Sequence, residues 1–335
     1  MNQKYDVVVV GGGAAGLAGA TTLARARRSV LVADAGEPRN APAGHVHNYL
    51  GREGTPPREL LADGRMEVVS YGGEVVPATV LTAKPVEGGG FRVTLTDGRE
   101  VRARRLLVTT GLVDELPEIP GLAQLWGQDV LHCPYCHGWE VRDQPVGILG
   151  GGPMLLHQAL LWRQWTEDVI VFRHTGPELS PDERAQLAAR QIQVVDGEVT
   201  AVETQDGRLS GLRLDSGRFV PRAAMVVGSK IVARAELLIS LGLATADLEI
   251  GGQVAGTYIP ADPSGATAVP GVWVAGNVTN LMAQVITAAA SGVTAAAAIN
   301  ADLVSDDVRQ AMTAEFSPAQ ERAAARARRS GADGQ

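Results

Sequence analysis

The chain has 335 residues, 45% hydrophobic and 20% charged, and a net charge of −7. That length predicts two domains, and the balance of apolar to charged residues excludes wholesale disorder. The acidic excess gives no general attraction for nucleic acid or an anionic membrane, and two cysteines exclude a disulfide scaffold.

The chain opens with Tyr5-Asp6-Val7-Val8-Val9-Val10, a β-branched run that reads as a buried parallel strand. Gly11-Gly12-Gly13-Ala14-Ala15-Gly16 follows, then a small-residue helix over about 17–27 and an apolar strand over 30–33 that ends at Asp34. This is a βαβ unit. Residues 7–24 lack charge, but five glycines, Asp6 at the start and no basic leader argue against a signal peptide or span. Phe91–Leu95 and Val101–Thr109 read as strands around the turn Thr96-Asp97-Gly98, and Leu106–Thr109 as a return to the first sheet. Pro117 and Pro120 mark a linker. The βαβ pattern recurs at 145–172, with a strand Val146–Leu149, a second run Gly150-Gly151-Gly152, a helix through about Trp165 and a strand Val169–Phe172. Antiparallel strands are expected over 194–204 and 209–214, with a crossing back near 250–262. A last strand over 271–276 then leads into an alanine-rich helix over about 283–304. Residues 263–301 carry no charge, and we expect that stretch to be buried against a sheet and a ligand. The expected fold class is α/β with two Rossmann-like domains. The first domain is discontinuous (1–115 and 255–316), the second spans 116–254, and a flexible tail covers 317–335. A cytoplasmic protein without membrane contact is expected.

Gly11-x-Gly13-x-x-Gly16 follows a strand, opens a helix and has Asp34 eighteen residues beyond it, which is the dinucleotide context. Gly11 permits the tight turn, Gly13 the approach of a pyrophosphate and Gly16 close helix–strand packing; Asp34 can bond ribose hydroxyls. The alternative is a glycine-rich turn with no ligand. Cys133-Pro134-Tyr135-Cys136 takes both cysteines of the chain into one CxxC, which favours a redox pair over an inert one. His132 and His137 flank it as candidates for moving thiol protons. The competing reading is a zinc knuckle of His132, Cys133, Cys136 and His137, but ligands adjacent in sequence rarely wrap one tetrahedral ion, so no metal is expected. Gly150-x-Gly152-Pro153-Met154-Leu155 is a defective copy of the first loop. Leu155 stands where a small residue packs, Pro153 removes a helix-start N–H, and Arg173 is the single cation placed to meet a 2′-phosphate. His45 and His47 read either as surface histidines or as part of a site.

The order of these motifs resembles thioredoxin reductase of the low-molecular-weight type over about residues 4–304. The block His132-Cys133-Pro134-Tyr135-Cys136-His137-Gly138-Trp139-Glu140 is similar to the dithiol oxidase branch, the flavoenzymes that close disulfides in gliotoxin and holomycin. The resemblance implies FAD bound by Gly11, Gly13, Ala14, Ala15, Gly16 and Asp34. It also places Arg39, Asn48, Thr110, Gly111, Gly276, Asn277, Gln284 and Val285 in the cofactor site, with Val80 at the adenine. It further implies a homodimer and a Cys136 nearer the flavin than Cys133. Against the family pattern, His137 replaces an Asp, Asn277 replaces an Asp and Ala283 an arginine. The second domain's lack of an arginine cluster, Leu155 in its glycine loop and Asn277 weigh against NADPH as reductant. The expected function is oxidation of a small dithiol by O2, with Cys133 attacked first and His137, assisted by His132, moving protons. NADPH-dependent reduction of thioredoxin or another disulfide is the alternative, ferredoxin is a second candidate electron partner, and a flavoprotein redox sensor is a third reading.

Overall fold

The computed structural model describes residues 3–152, 154–313 and 322. The helix-start argument from Pro153 and nearly all of the expected tail lie outside the described residues.

Strand Gln3–Val10 pairs in parallel with Val30–Asp34 on one side and Glu100–Val108 on the other. Its valines explain this central place. Val7 and Val9 pack into a helix-side core with Leu17, Ala20 and Leu23, while Val8 and Val10 pack into the opposite core with Val93, Leu106 and Val108. A strand buried on both faces needs such an uninterrupted apolar run. Glu74–Pro77 extends the sheet beyond Val30–Asp34. Strand Glu100–Val108 divides its length between two partners. Residues 100–103 pair antiparallel with Phe91–Leu95, and 106–108 pair in parallel with Val272–Val274. The first domain is therefore discontinuous.

Helix Ala14–Arg25 is covered by the last helix, Val285–Thr313, which runs nine residues past the expected end. By length and composition this helix could cross a membrane. Its Ala288, Ala295, Ala296, Ile299 and Leu303 instead fill the helix-side core.

The second domain carries the parallel sheet 193–195, 169–172, 146–149, 224–226, 130–131, flanked by a three-stranded antiparallel meander. The strand expected over 194–204 breaks into Gln193–Val195 and Val199–Gln205, because Gly197 between them turns with φ +109°. The helix expected to reach Trp165 covers only Leu155–Trp162. The connections between domains run side by side, Leu112–Glu115 antiparallel to Lys230–Ala233. The return comes earlier than the expected residue 255: Ala233, Ala235, Leu238 and Leu243 already pack into the first domain's core.

Candidate active site

The first glycine loop has the shape of a phosphate cradle. Gly11 takes φ +106°, and Thr109 Oγ1 donates to its carbonyl at 2.9 Å, fixing the turn to the neighbouring strand. Gly13 is the N-cap of helix Ala14–Arg25, and no side chain caps it, which leaves the first N–H groups of Ala14, Ala15 and Gly16 for an anion. A Cβ on Gly13 would meet nothing within 4 Å, so the protein leaves that approach open. Asp34 Oδ1 accepts from the Gly12 N–H at 3.2 Å, and Arg65 pairs with Oδ2 at 2.7 Å. These residues fit the pyrophosphate and ribose of a bound FAD.

The remaining flavin-site candidates take differing places. Thr110 Oγ1 donates to the Arg234 carbonyl, and Gly111 turns with φ +74°. The Gly276 N–H donates to the Ser291 hydroxyl oxygen at 2.9 Å, which fixes the turn. Asn277 Nδ2 donates to the carbonyls of Asn280, Leu281 and Ala283 at 3.0–3.3 Å, stapling the loop that leads to Gln284 and Val285 at the start of the last helix. Val80 is buried and paired opposite Leu95 in the first core. Arg39 does not stand free for a cofactor. It forms a bidentate pair with buried Asp114 at 2.6 and 2.7 Å.

Cys133 and Cys136 are joined as a disulfide around a single helical turn, Pro134–His137. Each flanking histidine lies in an environment that favours its neutral form. His132 stacks on Trp126 at 5.5 Å, and burial, reinforced by the Arg39 charge and opposed by Asp114, pushes it down to about 4. Burial costs the Asp114 charge as well, but the Arg39 hydrogen bonds outweigh it and hold that carboxyl below the usual range. Burial also lowers His137, against the pull of Glu140, and both its ring nitrogens are buried without a partner. A neutral, unpartnered imidazole next to a disulfide is equipped to accept a thiol proton.

The loop 45–54 of the first domain reaches over this turn. Asn48, held at φ +60°, donates from Nδ2 to the Tyr135 carbonyl at 2.8 Å. His47 lies between two carboxylates, Nδ1 at 2.5 Å from Glu53 and Nε2 at 3.4 Å from Glu140. Sequence reasoning missed Glu53, Arg65, Trp165 and the part played by Glu140. Only His45, His47 and Asn48, close together in a Pro/Gly-rich loop, gave any signal of this cluster.

The second glycine loop differs from the first. The helix after it begins only at Leu155, beyond Gly152, whereas the first helix starts directly at Ala14. Arg173 is engaged by Asp196 at 2.7 Å, Glu178 at 3.4 Å and the Gly176 carbonyl at 3.1 Å.

A dinucleotide cradle combined with a redox disulfide on a second Rossmann-like domain defines a flavin–disulfide oxidoreductase. The profile of the pyridine nucleotide-disulphide oxidoreductases matches residues 5–292, and the chain belongs to that family. It is an oxidoreductase of thioredoxin-reductase-like fold, in a family whose members bind flavin. The crystal structure of HlmI, 45% identical, superposes with a TM-score of 0.84 over 96% of each chain. Thioredoxin reductase aclD of Aspergillus oryzae is 29% identical over 82% of this chain and 88% of its own. A probable thioredoxin reductase of Arthroderma benhamiae is 32% identical over 61% of this chain. The match spans about half, 55%, of that protein's length.

Proposed function

We propose that the protein oxidises a small-molecule dithiol to a disulfide, with FAD as its prosthetic group and oxygen as the terminal acceptor. The contrast between the two glycine loops carries this reading. The first is an open anion cradle, while the second starts its helix late and has its one candidate phosphate cation neutralised by Asp196 and Glu178.

A substrate thiolate attacks Sγ of Cys133, breaking the Cys133–Cys136 bond and leaving Cys136 as a thiolate. The second substrate thiolate attacks the substrate sulfur of the mixed disulfide, so the product disulfide leaves and Cys133 is released as a thiolate. His137, neutral at pH 7, takes the proton of an entering thiol; His132, neutral above about 4, assists. When bound, FAD supplies the two-electron acceptor for the reduced pair, and oxygen takes the electrons on as peroxide. The net reaction is dithiol plus O2 giving disulfide plus hydrogen peroxide. The working unit in this reading is a homodimer.

The names of the A. oryzae and A. benhamiae relatives favour a second reading, NADPH-dependent reduction of a disulfide partner such as thioredoxin. Anaerobic mixing separates the two. A small dithiol is expected to bleach the flavin, with air restoring it and releasing peroxide, while micromolar NADPH leaves it yellow. Rapid stoichiometric bleaching by NADPH would replace the oxidase reading with the reductase one.

A further inference from the structure

A cleft of about 590 Å³ lies between the loop 45–54 and the cysteine-bearing turn, lined by His45, His47, Glu53, Tyr135, Trp139, Glu140 and Trp165 among others. That volume is within the ~300–1,000 Å³ typical of small-molecule sites. Its lining includes Pro134 and Tyr135, the residues between the two cysteines, so the cleft adjoins the disulfide-bearing turn.

Aromatic rings form part of the walls. Tyr135 meets Trp165 edge-on at 5.6 Å, which sets both rings. Trp139 is 66% exposed, yet Arg142 stacks on it at 4.1 Å and holds it at the mouth. Exposed indole and phenol rings in the lining favour a planar occupant. The charge is one-sided. Glu53 and Glu140 flank His47, His45 is the other lining imidazole, and among the described residues no Lys or Arg lines the cleft. Of the nearby cations, Arg52 is paired with Asp63 at 2.8 Å, and Arg142 stacks behind the Trp139 ring and donates to its carbonyl.

We infer that this cleft is the substrate site and that it selects small, flat dithiols that are uncharged or cationic, discriminating against anionic thiols. The inference rests on the dithiol oxidase reading. A carboxylate within roughly 6 Å of a bound negative charge disfavours that ligand by ~3–10-fold at low salt.

The test uses the holoenzyme and three derivatives of dihydrolipoic acid with the same dithiol: the free acid, the amide and the aminoethylamide, carrying charges of −1, 0 and +1. At low ionic strength kcat/KM for the amide and the aminoethylamide is expected to exceed that for the acid by ~3–10-fold. The gap should close as salt rises, and in the Glu53→Gln/Glu140→Gln double variant. A second arm compares benzene-1,2-dimethanethiol with dithiothreitol. The expected preference for the aromatic dithiol should fall in Trp139→Ala, whose substitution lies at an exposed position. Equal kcat/KM across the charge series, or a gap unchanged in the double variant, overturns the charge selection; an aromatic preference unchanged in Trp139→Ala overturns the flat wall. If none of these dithiols reduces the flavin, the oxidase reading itself fails, a result distinct from either.

Discussion

Gly16 lies so close to Gly11 that a Cβ on Gly16 would sit 1.9 Å from the Gly11 carbonyl oxygen, whereas a Cβ on Gly13 would point into open space. The two glycines therefore serve different ends. Gly16→Ala should destabilise the fold itself, by about 1–3 kcal/mol or more, visible as a lower melting temperature even without cofactor. Gly13→Val should leave the flavin-free protein as stable as its unsubstituted counterpart yet colourless. Equal loss of stability in both would show that Gly13 is a packing residue.

The cysteines should separate spectroscopically. Cys133→Ser is expected to leave a Cys136 thiolate beside the flavin and give a long-wavelength charge-transfer band; Cys136→Ser is expected to lack it. The buried, unpartnered ring of His137 sets the next expectation. His137→Ala should slow the dithiol half-reaction by ~10²–10⁴-fold, measured as the rate of anaerobic flavin bleaching.

Where the family pattern has Asp, Asn277 donates its amide to three carbonyls. A carboxylate there could only accept, and would face those oxygens unpaired. Asn277→Asp, although it restores the family residue, should cost about 1–3 kcal/mol. Thermal unfolding with simultaneous flavin release would record it.

His132 predicts an acid-side loss of stability. Its folded value lies near 4, below the ordinary 6.5. Above pH 6.5 both folded and unfolded imidazoles are neutral, and the stability is fully present. As the pH falls from 6.5 towards 4, only the unfolded chain takes up the proton, so stability drops by a total of about 3 kcal/mol. His132→Phe keeps a ring on Trp126 and should flatten that part of a melting-temperature profile between pH 7 and 4.

The parts of the fold that sequence revealed were local. The four valines, the glycine spacing and the CxxC each carry their meaning within ten residues, and each formed where expected. The cluster around His47 did not announce itself, because Glu53, Glu140 and Trp165 meet only after one domain's loop crosses the other domain's helical turn. Arg65 reaches Asp34 from a separate helix, with no periodic signal linking them. Arg173 was visible as a cation but its neutralisation was not, since Asp196 arrives from the break between two strands that read as one.

Gly292 in the last helix meets Ala15 nearly backbone to backbone; a Cβ there would lie 2.0 Å from the Ala15 carbonyl oxygen. The cradle is thus built from segments nearly 280 residues apart in synthesis. A ribosome that has released Asp34 has already made every glycine of the motif, yet the helix that carries them lacks the cover of the last helix until residue 292 emerges. The part of Ala14–Arg25 that the last helix covers therefore has no partner until late in synthesis, the situation in which nascent chains need chaperones.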